Sequence, residues 1–313
     1  MAFFKNKETL QELGFGTKNY KTRVRFLNTD GSVNVKRTGL GLLRNLDVFH
    51  WLISTTALKL NLVILIWYVL INSIFAGIYF LIGPEHFGGL DVPSGQAVKE
   101  ISALFFFSAQ TITTLGYGHV YPIGELASTA ASVESLLGLL SFAVATGILY
   151  GRFSRPRAHI LYSDKLLISP YREGKAIMFR LVNKKQSELI ESEVKVNVTF
   201  NNATTNKREF YSLKLEIEKI NFLPFSWTIV HHLNEESPIA EYGFREYEAL
   251  DFEFLVLFKA INDTVSQNVY SRYSYKSGQI IENAKFLPLD QNVDKKGRVV
   301  IEVNEINRFQ TLS

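Results

Sequence analysis

The sequence predicts a membrane α protein, with two transmembrane helices around a re-entrant pore helix, followed by a C-terminal all-β domain. Three observations carry this reading. Charge is unevenly spread: Leu60 to Pro84 holds no charged residue and Leu126 to Tyr150 only Glu134, whereas the remainder is rich in Lys, Arg, Asp and Glu. Between the two apolar runs lies a short aromatic stretch that ends in closely spaced glycines. Beyond Arg157 the pattern changes to short alternating segments separated by Asn, Gly, Pro and charged clusters, as in an antiparallel sandwich.

A length of 313 residues accommodates two domains, and a hydrophobic content of 47% is high for a soluble chain. The formal charge of +4 is too small to argue for nucleic acid, and none is expected as a partner. The absence of cysteine excludes disulfides, thiolate metal sites and a cysteine nucleophile.

Residues 1–46 read as a cytoplasmic N-terminal segment, because MAFFKNKETLQELG has no apolar core followed by a small-residue cleavage site. Residues 47–157 form the expected pore domain. It opens over about 47–58 with DVFHWLISTTAL, where Val48, Trp51, Leu52 and Thr55 share one helical face. That segment either lies in the plane of the membrane surface or forms the first turns of the span. The first span, about 59–82, contains an apolar run that at a 1.5 Å rise is long enough to cross roughly 30 Å of hydrocarbon.

From Ala97, AVKEISALFFFSAQTITTLG begins polar and becomes an aromatic stretch too short to cross before its glycines, so a pore helix and filter are expected over about 97–118. Non-helical backbone at that depth requires burial in protein or a water-filled cavity. The second span, about 126–151, carries Gly, Ala, Ser and Thr at intervals suited to close helix packing, with Gly138 and Gly147 as bending points. Lys and Arg crowd the chain before Leu60 and recur at Arg152, Arg155 and Arg157, while Gly83 to Glu125 has only Lys99. The positive-inside rule then puts both termini in the cytoplasm of a multi-pass protein of the cell's inner (plasma) membrane. Residues 158–313 are the expected cytoplasmic β-sandwich.

The segment that carries chemistry is Thr113, Thr114, Leu115, Gly116, Tyr117, Gly118. Thr114 offers a carbonyl and a hydroxyl, and the glycines allow backbone conformations that turn successive carbonyls toward one axis. Four copies of such a loop stack rings of oxygen that replace the water shell of K+. Tyr117 is expected to point away and brace the strand against the pore helix. On the second span, Gly138, Phe142, Ala145 or Thr146, and Tyr150 recur at helical spacing. If that face looks inward they line the cavity, with Tyr150 as a constriction. Glu134 is the one ionisable group in either run, expected behind the filter, where it either pairs with a pore-helix hydroxyl or sits in the cavity, the structural role being favoured. Arg152, Arg155 and Arg157 sit where anionic lipid headgroups would meet them, each basic group contributing on the order of 1 kcal/mol.

No Walker loop or HExxH occurs, and the Gly14–Gly16 GFG is not followed by a dinucleotide pattern. His231 and His232 fall on an expected strand, where neighbours face opposite ways and make poor joint metal ligands. Neither an enzyme nor a resident cofactor is expected. The alternative to conduction is a membrane-tethered β-domain sensor, which would have no need of TTLGYG in a re-entrant loop.

The chain resembles the inward-rectifier potassium channels, especially their prokaryotic members. The resemblance rests on LGFGTKNYKTRVRFLNTDGSVNVKR, DVFHWLIS, FFFSAQTITTLGYGHVYP, GRFSRPRA and SWTIVHHLNEESPI, in that order. It implies a homotetramer, a slide helix at the interface, K+ held by Thr114, Leu115, Gly116 and Tyr117, an immunoglobulin-like cytoplasmic domain extending the conduction path, and regulation by anionic lipid. Magnesium or polyamine block belongs to the same family. Phe142 stands at the position of the family's rectification-controlling acid, which removes one cavity site for those blockers. Gln110 replaces a common pore-helix Glu, and His119 a common Asp after GYG, so the outer mouth is less acidic and responsive to external pH between roughly 5 and 8.

Overall fold

The computed structural model describes residues 25–312 apart from 29, 37, 40–46, 93–94, 155–157, 206, 224 and 290. These residues fall into two compact units. One lies within Gly39–Arg155; the other joins the described residues up to Thr38 with those after Pro156.

The first unit is helical. Helix α1 spans Val48–Ser54 and is capped by Asp47, whose carboxylate accepts the His50 N–H at 2.9 Å. Thr55 and Thr56 are both extended, with ψ of 166° and 153°, so the helical bonding stops before α2, Ala57–Ile82. α1 is therefore a separate helix and not the first turns of the span. α2 ends at Gly83, whose φ of 114° is open to glycine at little cost. A two-residue strand β1, Phe87–Gly88, precedes the pore helix α3, Ala97–Ile112. After the filter, β2, Tyr121–Pro122, pairs antiparallel with β1, matching Phe87 to Pro122 and Gly88 to Tyr121. α4 follows as Glu125–Phe153, one residue longer at its N-terminal end and two at its C-terminal end than expected. Both α2 and α4 are long and apolar enough to span a membrane.

The second unit is a sandwich of two five-stranded sheets. Its strands are β3 Ile160–Tyr162, β4 Leu166–Tyr171, β5 Gly174–Asn183, β6 Leu189–Asn201, β7 Arg208–Leu213, β8 Lys219–Phe222 and β9 Ser226–His232. After the short helix α5, Phe244–Ala249, come β10 Glu253–Asn262, β11 Gln267–Lys276 and β12 Ile280–Glu282. One sheet runs β11-β10-β6-β7 with β8 also on β6; the other runs β12-β4-β5-β3 with β9 on β5. All these pairings are antiparallel except β12 with β4. Alternate residues of both sheets, among them Ile177, Phe179, Leu181, Val194, Val196, Val198, Phe254 and Phe258, fill the space between. The described residues among 25–38, expected as part of a separate N-terminal segment, belong to this unit: Phe26 and Leu27 are buried with Phe210 and Leu255.

Candidate functional site

The pore helix is fixed before the filter begins. Tyr79 of α2, Phe87 of β1 and Phe107 of α3 form a triangle of rings with centroids 5.1 to 5.4 Å apart. Burial of three aromatic side chains at one point joins the first span, the outer connection and the pore helix. Behind this knot, Glu134 of α4 is fully buried. It accepts hydrogen bonds from the Tyr79 hydroxyl and contacts the Ser108 hydroxyl of α3. This matches the structural placement expected of Glu134, and it adds Asn72 on α2, whose Oδ1 lies 2.9 Å from Ser108 Oγ.

α3 ends at Thr113, and the chain turns without continuing the helix. The Gln110 carbonyl accepts from both Leu115 N at 2.9 Å and Gly116 N at 3.3 Å. From there the backbone alternates in hand. Thr114, Gly116 and Gly118 have φ of 59°, 50° and 81°, with Leu115 and Tyr117 between them in the ordinary negative range. Alternation of left- and right-handed residues turns consecutive carbonyls to one side of the strand, the arrangement that a ring of oxygen ligands needs. Thr114 holds this conformation without glycine's freedom, at a cost of roughly 1 kcal/mol, an example of strain gathered at a functional site. A Cβ on Gly116 or Gly118 would meet nothing within 4 Å in the protomer, so conformation and not space demands glycine there.

The whole of Thr113 to His119 is exposed in the single chain. Tyr117 is 72% exposed in the single chain. The outer end is anchored by the β1–β2 pair and by buried Val120. Gly89, at φ 75°, sits so close to the His119 carbonyl that a Cβ there would collide with it.

On α4 the sequence-predicted pore face divides. Ala127, Ala131, Glu134 and Gly138 are buried, and a Cβ on Gly138 would strike the Ile112 carbonyl at the end of α3. Gly138 is thus a packing contact under the pore helix, which corrects its expected role in lining the cavity. The reason is geometric: residues four apart on a helix advance by about 40°, so Gly138 and Tyr150 differ by about 120°. Phe142 and Tyr150 are 75% and 74% exposed, and Thr146 is also exposed.

At the C-terminal end of α4, Ile53 of α1 is buried against Gly151. Arg152, expected at a lipid site, is half-buried and donates to the Thr55 carbonyl, one of the acceptors left open at the end of α1. Arg155 and Arg157 lie outside the described residues. Sequence reasoning missed Ile53 and placed Thr55 only on the amphipathic face; the signal was an isoleucine opposite the conspicuous aromatic face of a short helix. Among the described residues no group of three or more acidic or histidine side chains is placed to hold a metal ion.

Comparison with known proteins agrees with this geometry. Residues 160–313 match the family described as inward rectifier potassium channel C-terminal domain, and residues 60–155 match the family described as ion channel. The chain is 33% identical over 276 residues to inward rectifier potassium channel Kirbac3.1 of Paramagnetospirillum magnetotacticum, covering 87% of this chain and 91% of that one. It is 25% identical over 295 residues to ATP-sensitive inward rectifier potassium channel 12 of Gallus gallus, covering 86% of this chain and 68% of that one. It is also 28% identical over 212 residues to inward rectifier potassium channel 4 of Mesocricetus auratus, with 63% and 47% covered.

Proposed function

Since the chain belongs to the inward-rectifier potassium channel family, we propose that four copies surround one axis and that K+ crosses through the carbonyl oxygens of Thr114, Leu115, Gly116 and Tyr117. The protein is a potassium channel in the membrane and not an enzyme; K+ is its permeant ion and no cofactor is involved. The observation that carries the filter assignment is the left-handed backbone at Thr114, Gly116 and Gly118 on an otherwise exposed strand.

Below the filter, Phe142, Thr146 and Tyr150 face the water-filled cavity, and a ring of four Tyr150 side chains closes it by excluding water. Arg152 joins α1 to α4 at the level of that ring, so a headgroup that competes for its guanidinium would move both helices. With Arg155 and Arg157 it forms the anionic-lipid site of this reading. The basic flanks place both termini on the cytoplasmic side of the plasma membrane. Phe142 offers no charge to magnesium or polyamines, so block by either is weak.

The test is K+ or rubidium uptake against Na+ into liposomes holding the full chain, with barium as blocker. Gly116→Ala costs about 1 kcal/mol in each left-handed position. Repeated in all four subunits of one ring, it is expected to abolish barium-sensitive uptake. Unchanged uptake in this variant, or native uptake without preference for K+ over Na+, would remove the filter assignment.

A further inference from the structure

The hydrogen bonds behind the filter leave one proton to be placed. Asn72, Tyr79, Ser108 and Glu134 are each fully buried. Asn72 Nδ2 donates to the Tyr68 carbonyl at 2.6 Å, which fixes the amide, since the reversed amide would set two oxygens against each other. Its Oδ1 therefore accepts from Ser108 Oγ at 2.9 Å. Ser108 has a single hydroxyl hydrogen, and this contact uses it. The same Ser108 oxygen also meets Glu134 Oε1, so the hydrogen in that contact belongs to Glu134. The other carboxyl oxygen, Oε2, accepts from the Tyr79 hydroxyl, which completes the chain.

The ionised alternative fails twice. Ser108 would have to turn its hydrogen to Glu134, leaving two oxygens opposed at Asn72. A buried carboxylate would also stand without a cation, which is costly in so dry a place. Besides Glu134, the three helices around it carry only Lys59, Lys99, Glu100, Glu125 and Arg152 as charged residues. Lys99 precedes Ser108 by about 13 Å along α3, Arg152 follows Glu134 by about 27 Å along α4, and Lys59 precedes Tyr79 by about 30 Å along α2. Tyr79 is the titratable group in contact with it.

We propose that Glu134 is a neutral acid whose proton closes the hydrogen-bond chain Tyr79–Glu134–Ser108–Asn72, and that this closed chain positions the pore helix beneath the filter. Glu134 touches no ion; it acts through Ser108, little more than one turn before Thr113. The positioning half of the inference rests on the channel reading, whereas the location of the proton does not.

Infrared difference spectra of the full-length protein in liposomes, native against Glu134→Gln, in H2O and D2O, decide the matter. The native protein should show the carbonyl stretch of a protonated carboxylic acid that moves in D2O and is missing from the variant. Carboxylate bands in its place would overturn the proposal. In uptake assays, Glu134→Gln keeps a donor and an acceptor and should stay within about threefold of native, while Glu134→Ala, leaving two buried hydroxyls without their partner, should lose about tenfold or more. Equal losses in both variants would refute the positioning role. A native protein that conducts nothing would count against the channel reading, and the infrared band would still decide where the proton is.

Discussion

Glu134 in the helical unit is enclosed by hydroxyl groups from two neighbouring helices, while Asp251 and Glu253 in the β unit are enclosed by cations and backbone N–H groups. Arg208, 1% exposed, lies 2.9 Å from Asp251, and Lys276 lies 2.8 Å from Asp251 and 3.6 Å from Glu253. Glu253 also accepts the Phe26 N–H at 3.0 and 3.1 Å. The two arrangements solve one problem, the burial of an acid, with opposite charge. In a sheet, Arg208 and Lys276 reach the acids from strands β7 and β11, with Arg208 buried and Lys276 only slightly exposed. A membrane helix has no cation to offer at mid-depth, because basic residues there are costly and gather at the cytoplasmic end. An acid retained in such a place is held best as a neutral hydrogen-bonding group.

The comparison is broken most severely by removing a cation from the β unit. Arg208 donates to Thr199 Oγ1 at 3.0 Å and to Asp251, and its guanidinium lies over the Phe26 ring at 4.8 Å. Arg208→Ala leaves Asp251 with half of its pairing and opens a space under Phe26. A loss of about 3–5 kcal/mol is expected, the usual cost of breaking a buried ion pair from one side. Denaturant melts of the solubilised protein, followed through its β-sheet circular dichroism, measure this; a loss below about 1 kcal/mol would mean that Lys276 alone holds the acids.

How far this was legible in the sequence differs between the units for a physical reason. The two spans could be read because a membrane imposes a length on apolar runs, and the glycines that prompted the filter reading adopt left-handed φ at 116 and 118. Thr114 gave no warning of its left-handed backbone, since only the fold can impose that strain on a threonine. Gly138 was assigned to the cavity because spacing along one helix does not fix which neighbour it meets; the Ile112 carbonyl does. In the β unit β5 is buried along most of its length and β8 is mostly exposed, but β6 and β9 followed hydrophobic alternation. β11 did not: QNVYSRYSYK has one aliphatic residue, and its buried positions are Val269, Ser274 and Tyr275. Ser274 binds the Leu27 carbonyl at 3.1 Å, so the docking of residues 25–28 was hidden in polar side chains that periodicity ignores.

A smaller effect sharpens the comparison, because one group of the β unit is satisfied in the neutral manner of Glu134. His231, 4% exposed, places Nδ1 2.7 Å from the Lys214 carbonyl and Nε2 2.9 Å from Ser237 Oγ. The carbonyl can only accept, so Nδ1 carries the proton and Nε2 accepts from the serine. Burial pushes the imidazole below its ordinary value of 6.5, with neighbouring His232 adding to this and the Lys214 carbonyl opposing it. The folded form then binds a proton less readily than the unfolded one. Stability from this site is full above about 6.5 and is lost as pH falls below it. Thermal melts between pH 7.5 and 5 should show the native β unit losing stability on acidification, and His231→Gln should lessen that slope; equal slopes would show that other groups govern it.

The smallest effect is expected at His119, an exposed ionisable residue of the helical unit that lies just past the filter. Histidine is the residue type whose charge ordinarily changes in the neutral range. Four positive charges around the outer mouth oppose the approach of K+, and the opposition weakens with salt because the site is wet. Lowering external pH from 7.5 to 5.5 should therefore reduce inward K+ flux, on the order of twofold at low ionic strength and less at high. His119→Asn should remove the response while leaving the preference for K+ over Na+ intact, since the proposed carbonyl ligands end at Tyr117, two residues before it. A response that survives this substitution would transfer it to His86 or to the acids of the outer connection.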